Sequence, residues 1–142
     1  MTTTASNPTA VALSYLAAFD GREPEDIATH VSVDFVNEHT AALGTGCYGR
    51  AAYLERLPGF LEQMPGLHYE VEQLIADGPN VAVFYTMTGS WLDERDFVVR
   101  GAQRLRVENG LITHRTDYWD SAAFLRQVDD TAAEILNGLG ID

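Results

Sequence analysis

The second half of the chain constrains the fold most. From Leu67 onward the residue character changes every second position. Leu67, Tyr69, Val71, Gln73 and Ile75 alternate with His68, Glu70, Glu72 and Leu74, and Val81, Val83, Tyr85 and Met87 alternate with Ala82, Phe84, Thr86 and Thr88. Phe97, Val99, Gly101, Gln103, Leu105 and Val107 alternate with Val98, Arg100, Ala102, Arg104 and Arg106. A period of two marks strands with two distinct faces. Turn chemistry separates the runs at Asp77-Gly78-Pro79-Asn80, at Asp93-Glu94-Arg95 and at Asn109-Gly110. The last is a strong hairpin signal, because both residues tolerate positive φ. Leu111 to Trp119 reads as the fourth long strand. It ends in an aromatic cluster around one carboxylate, Asp117.

The first half reads differently. Val11, Tyr15 and Phe19 recur every four residues with Leu16 beside them, the apolar face of a helix running to about Asp20. Ser6 or Asn7 can cap it, Pro8 suits its first position, and Gly21 offers a left-handed stop. A short helix is expected from Pro24, with Glu25 and Asp26 complementing its dipole. Val31 to Thr40 suggests a short strand, and the glycine-rich Ala41 to Gly49 a loop. Arg50 to Met64 predicts a third helix with Leu54, Leu57 and Leu61 on one face. Pro58 is expected to bend it or split it into two short turns. After the last strand, Ser121 can cap a helix through Phe124 and Leu125. Asp129-Asp130-Thr131 can start another, ending near Asn137-Gly138. Helices first and then a meander of long strands predict an α+β domain, a cone with a curved antiparallel sheet covered by N-terminal helices. Such a cone leaves a natural pocket. One domain is expected over residues 1–142, with a core of about 8–128 and a C-terminal tail of 129–142.

Composition narrows the partners. A formal net charge of -12, from 9 basic and 21 acidic residues, would repel a phosphate backbone or an anionic bilayer surface. No nucleic acid and no membrane partner is therefore expected. The single cysteine, Cys47, cannot form an intrachain disulfide, which suits a cytoplasmic location. It reads as a small buried or half-buried thiol. The N-terminal residues lack the basic and apolar segments of a signal peptide. His30, His39, His68 and His114 show no metal-ligand spacing, so no metal is expected. No nucleophile elbow, phosphate loop or dinucleotide fingerprint is present.

The segment Asn80-Val81-Ala82-Val83-Phe84-Tyr85-Thr86-Met87-Thr88-Gly89 resembles the nuclear-transport-factor-2-like superfamily, as does Asn109-Gly110-Leu111-Ile112 followed by Asp117-Tyr118-Trp119-Asp120. Within it the chain is most similar to the SnoaL-like polyketide cyclase branch, over roughly Pro8 to Val128. That resemblance implies a general acid/base at an aspartate seven residues after the hairpin glycine, the spacing of Asp117 from Gly110. Related limonene-epoxide hydrolases pair the matching aspartate with an Arg-x-Asp pair and with a Tyr and an Asn on the first strand. Phe35 and Asn37 fall at the latter positions. Phe84 and Thr86 fall at the former, so both charges are missing, which counts against epoxide hydrolysis.

Asp117 is thus the candidate proton-transfer group, and a structural salt bridge with Arg115 on the same strand face is the competing reading. Asn37 and His39, two apart, could position a carbonyl or move a proton near neutral pH. A turn-forming Asn and a loop-edge His is the alternative. Phe35, Tyr48, Phe84, Thr86, Trp91, Arg115, Tyr118 and Trp119 are the candidate substrate contacts. His114 falls on the face opposite Asp117. Arg100, Arg104 and Arg106 form a solvated stripe. The expected function is cyclase- or isomerase-type acid/base chemistry on a hydrophobic carbonyl compound, needing no cofactor, in a homodimer formed through the outer sheet face. The alternative is a non-catalytic binding or assembly module of the same fold.

Overall fold

The structure, a computed structural model, describes residues 7–141. Five α-helices and six strands follow in the order α1 (Pro8–Ala18), α2 (Pro24–Ala28), β1 (Val31–His39), β2 (Cys47–Tyr48), α3 (Arg50–Gln63), β3 (His68–Asp77), β4 (Asn80–Trp91), β5 (Arg95–Glu108), β6 (Leu111–Trp119), α4 (Ser121–Val128) and α5 (Asp130–Gly138). The architecture is α+β. One curved, unclosed sheet of order β2-β1-β6-β5-β4-β3 carries helices on its inner face.

The helix starts follow side-chain chemistry. The Asn7 carboxamide accepts from the amides of Thr9 and Ala10, and Pro8 occupies the first turn. Ser6, the other candidate cap, lies outside the described residues. At α4 the cap is Asp120, not Ser121. The Ser121 hydroxyl instead accepts from the Leu43 amide at 2.9 Å, which ties the β1–β2 loop to α4. After α1 the chain makes a short 3-10 turn over Phe19–Gly21. The left-handed stop falls on Arg22 (φ 57) and not on Gly21. Two contacts offset that conformation: the Arg22 guanidinium donates to the carbonyl oxygens of Leu61 and Met64 at the end of α3. Helix α3 runs unbroken through Pro58, so the split into two short turns does not occur. Its buried residues Tyr53, Leu57 and Leu61 anchor it on both sides of the proline, and packing overrides local propensity. At its start, Arg50 donates twice to the Val31 carbonyl, at 3.0 and 2.8 Å.

The sheet departs from an all-antiparallel meander at one seam. β1 lies parallel to β6, pairing Asn37 with Arg115 and His39 with Asp117. A register shift between Val31 and Val36 leaves Val33 exposed while Phe35 and Asn37 stay buried. The glycine-rich stretch is not all loop, since β2 pairs with Val36 and Asn37. A side chain at Gly46 would collide with the Asn37 carbonyl, so this approach needs glycine. The β4–β5 turn falls on Leu92 and Asp93, both at positive φ, one residue earlier than expected.

The core lies between the inner sheet face and α1 to α3. Alternation holds along β4, where Val81, Val83, Tyr85 and Met87 are buried. The outer face carries Arg100, whose guanidinium grips Glu72 at 2.9 and 2.6 Å, and exposed apolar residues including Val33, Phe84, Val98 and Tyr118. His114 pairs there with Glu38 at 3.1 Å, His68 with Asp20 at 2.7 Å, and His30 bonds the Asp26 carbonyl at 2.8 Å as a helix-end residue.

Gly101 in β5 is a close-approach position. A Cβ there would sit 2.6 Å from the Tyr85 hydroxyl and 2.8 Å from the Tyr118 carbonyl. Gly101→Ala is therefore expected to cost about 1–3 kcal/mol through overpacking. Gly21→Ala, with nothing within 4 Å of the added methyl, should stay within about 0.5 kcal/mol of wild type or stabilise. Urea unfolding of the two variants checks the contrast, and equal losses would refute it.

Candidate functional site

The polar interior is built at the β1–β6 seam. Residues 115, 117 and 119 of β6 face inward by strand parity, and the parallel register sets Asn37 and His39 of β1 beside Arg115 and Asp117. Arg115 and Asp117 form an ion pair at 2.8 Å, with side chains only 6 and 5% exposed. The second carboxylate oxygen of Asp117 accepts from the Tyr85 hydroxyl at 2.7 Å, in the space that Gly101 leaves free. Another arm of Arg115 donates to the Tyr15 oxygen at 2.9 Å. The Tyr15 hydroxyl is hydrogen bonded in turn to the Tyr53 hydroxyl. Tyr69 completes the aromatic shell, edge-on to Phe19 and Tyr85 at 5.1 and 5.2 Å between ring centres.

The electrostatics follow from burial. Desolvation works against the charge of Arg115, yet the surrounding oxygens of Tyr15, Asp117, Tyr53 and Tyr69 outweigh it, and its pKa lies well above the ordinary value. Burial pushes the phenols of Tyr15, Tyr53, Tyr69 and Tyr85 above theirs, and the Asp117 charge adds to the shift at Tyr85. His39 moves the other way. Burial first, and then the positive charge of Arg115, lower it to about 4, so its imidazole is neutral at neutral pH.

A cavity of about 790 Å³ opens beside this network. Phe19, Leu57, Phe60, Met64, Trp91, Trp119, Phe124 and Leu125 make its apolar wall. Asn37, His39, Tyr53 and Arg115 make a polar end, and Glu55, Arg56 and Asp129 are its remaining charged lining residues. α4 covers the wall. Phe124 sits edge-on to Trp91, Phe97 and Trp119 at 5.4, 5.2 and 5.9 Å. Gln127 bonds both the amide and the carbonyl of Val98, on the stretch of β5 beyond its pairing with β6. The dimensions and the mostly apolar lining suit a drug-sized molecule.

Of the candidates from sequence, the structure brings Asn37, His39, Trp91, Arg115 and Trp119 to the cavity. Asp117 is not among the lining residues; it stands behind Arg115 with both oxygens engaged. Phe35 is fully buried in the core, 5.0 Å from the Tyr53 ring centre. Phe84, Thr86 and Tyr118 lie on the outer face, because their odd-numbered neighbours point inward. Thr86 bonds Glu72 there at 2.6 Å. Tyr48 is 72% exposed. Cys47 is half-buried, its sulfur 3.9 Å from the Asn37 amide nitrogen. The sequence does not single out Tyr15, which bonds Arg115, or Tyr53, which lines the cavity. Their helical spacing marks them as core-facing, but nothing in the sequence places two hydroxyls from separate helices against one arginine. Among the described residues no three His, Cys, Asp or Glu side chains cluster to hold a metal ion, and no helix is long and apolar enough to cross a membrane.

The family model for the SnoaL-like domain matches residues 12–115. The chain belongs to the SnoaL-like family. No curated protein matches it. Among solved structures it is similar to a hypothetical protein with a ketosteroid isomerase-like fold from Catenulispora acidiphila in complex with trimethylamine, with TM-score 0.76, 21% identity, and 82% of this chain and 90% of that one covered. A protein assigned to the SnoaL-like polyketide cyclases, from Shewanella denitrificans, gives TM-score 0.76 at 18% identity, covering 84% and 95%. An M. tuberculosis LEH-like epoxide hydrolase gives 0.75 at 15%, covering 92% and 96%. These likenesses establish the fold; the family spans cyclases, isomerases and epoxide hydrolases.

Two outcomes follow from the site's electrostatics. Removing one member of the buried pair strands the other charge, so Asp117→Asn or Arg115→Met should each lose about 3–5 kcal/mol. The double variant Arg115→Met/Asp117→Leu should lose clearly less than their sum in urea unfolding at pH 7; strict additivity would refute the coupling. For His39, between about pH 4 and its ordinary value of 6.5 the unfolded chain binds a proton that the folded chain refuses. Stability at this site therefore falls as pH drops through that window. His39→Gln should narrow the gap between stabilities measured at pH 7 and pH 4.5, and an unchanged gap would contradict the burial of the imidazole.

Proposed function

We propose that this SnoaL-like protein binds an uncharged hydrophobic carbonyl compound in the cavity and moves a proton next to the carbonyl, as cyclases and isomerases do. One observation carries the reading. Three polar residues, Asn37, His39 and Arg115, stand together at one end of an otherwise largely apolar cavity. A few polar groups converging at one end of an apolar cavity are the arrangement by which small-molecule sites orient a ligand.

The roles divide by geometry. With its conjugate acid near 4, His39 is a base of carboxylate strength that stays unprotonated at neutral pH. Asn37 and Arg115 supply polar contacts at the same end. Asp117, the group expected from sequence to move the proton, acts as the anchor that holds Arg115. Epoxide hydrolysis is less well supported, since the inward register neighbours of Asp117 are His39 and Gln103 and neither is a second acid. A non-catalytic binding module remains the second reading, favoured by the full engagement of both Asp117 oxygens.

Deuterium exchange at the carbon beside the carbonyl separates the two. A panel of aromatic polyketide, steroid and terpenoid ketones would be incubated with the protein in deuterated buffer and read by mass spectrometry. Wild type is expected to exchange at least one bound ketone, with a rate that rises through about pH 4 and is level above it. His39→Gln should lose the exchange and keep the binding. Tight binding with no exchange anywhere between roughly pH 5 and 9, where the base is unprotonated, would overturn catalysis and leave the binding module.

A further inference from the structure

We infer that Gly59 selects for ligand length. It leaves a notch in the rim of the cavity, through which the end of the ligand away from the carbonyl passes into water. This rests on the cavity being a small-molecule site, as argued above. It adds that the ligand is elongated, a hydrophobic carbonyl compound with a chain or substituent that reaches the mouth.

The cavity has a buried end and a mouth. Asn37, Leu57 and Arg115 line it and are buried, whereas Glu55, Arg56, Gly59 and Gln63 line it and are exposed. All four exposed residues belong to α3. Residues 55, 59 and 63 are successive i, i+4 neighbours, so they form one row along the helix. Glu55 and Gln63 carry long side chains at the two ends of the row, and Gly59 between them carries none. A ligand with its carbonyl at the buried polar residues extends toward this exposed rim, and the gap at Gly59 is where α3 gives it room.

Nothing in the local backbone asks for glycine at this position. Only proline is a poorer residue for a helix interior, and α3 runs through Gly59 unbroken. Gly59 is not one of the glycines at positive φ. A Cβ added there would meet nothing within 4 Å. Pro58 restricts the residue before it, Leu57, and crowds the carbonyl of Leu54; both lie on its N-terminal side and leave residue 59 free. Gly44, the other glycine of the lining, differs. Its φ is 94, and a Cβ there would come within 3.2 Å of the His39 ring, so local geometry accounts for it. Gly59 weakens its helix without serving the fold, and the gain that offsets this is open space at the mouth.

Two ketones with one head test this: 2-acetyl-6-methoxynaphthalene, which is short, and 2-acetyl-6-hexyloxynaphthalene, which is long. Affinities would be read by fluorescence titration and stabilities by urea unfolding. Wild type is expected to bind both, the long ketone more tightly. Gly59→Leu, which fills the notch, should weaken the long ketone roughly tenfold, as overpacking does, and leave the short one within about twofold. Gly59→Ala should weaken the long ketone by less and raise the urea midpoint, since alanine is the better helix former and meets no neighbour. Equal losses for the two ketones in Gly59→Leu, or no loss for either, would overturn the notch while leaving the cavity reading intact. So would a wild type that binds the short ketone and rejects the long one. A lower urea midpoint in Gly59→Ala would reveal a structural demand for glycine and overturn the notch as well. Failure of wild type to bind either ketone would overturn the cavity reading and the notch with it.

Discussion

The buried pair of Arg115 and Asp117 is the constraint on which the rest of the interior depends. Two charges at 2.8 Å attract strongly in a dry core, but taking both out of water costs several kcal/mol per ion. The arrangement is tolerable only if the remaining donors and acceptors are met. Here Tyr85 of β4 meets the second carboxylate oxygen and Tyr15 of α1 meets a second guanidinium nitrogen. Tyr53 of α3 is joined on through Tyr15. Elements far apart in the chain are thereby held to one point. Gly101 belongs to the same scheme, because the Tyr85 hydroxyl occupies the volume that any larger residue there would take.

The pair also shapes the cavity chemistry. An arginine whose charge is matched from behind offers a polar surface without an open demand for an anion. It also helps hold the neighbouring imidazole neutral, since a second positive charge beside it is disfavoured. The parallel β1–β6 register makes this possible by setting Asn37 and His39 next to Arg115 and Asp117. The polar end of the cavity is where that network meets the lining, at Asn37, His39, Tyr53 and Arg115, and the apolar wall is built mainly from α3 and α4 with Phe19, Trp91 and Trp119.

Much of the sheet was legible because strand parity is a local rule. Val81, Val83, Tyr85 and Met87 share a face in the sequence as in the structure, and so do Arg115, Asp117 and Trp119. The placement of Phe84 and Thr86 at the site failed for an instructive reason. Likeness to a relative's motif put them there, while both faces of β4 carry apolar residues and parity alone could not say which was inner. Once Tyr85 is inside, Phe84 and Thr86 must be outside. The parallel seam had no local signal at all, since β1 and β6 are separated by most of the chain. The convergence of Tyr15, Tyr53 and Tyr85 on one ion pair is likewise a product of tertiary packing, which no spacing rule encodes.

The family likeness carries the fold further than the reaction, and the geometry shows why. Inner-face positions of this sheet form a small lattice in which an acid, an imidazole, an amide or an arginine can stand at adjacent points. What a carboxylate does there depends on its neighbour. With a free oxygen toward the cavity it is a base; with a guanidinium on one oxygen and a phenol on the other it is an anchor. Asp117 keeps the position that the SnoaL-like resemblance singles out, but Arg115 two residues before it takes up its charge and stands between it and the cavity. On the proposed reading, proton transfer falls instead to a neighbouring group that lines the cavity, the neutral imidazole of His39.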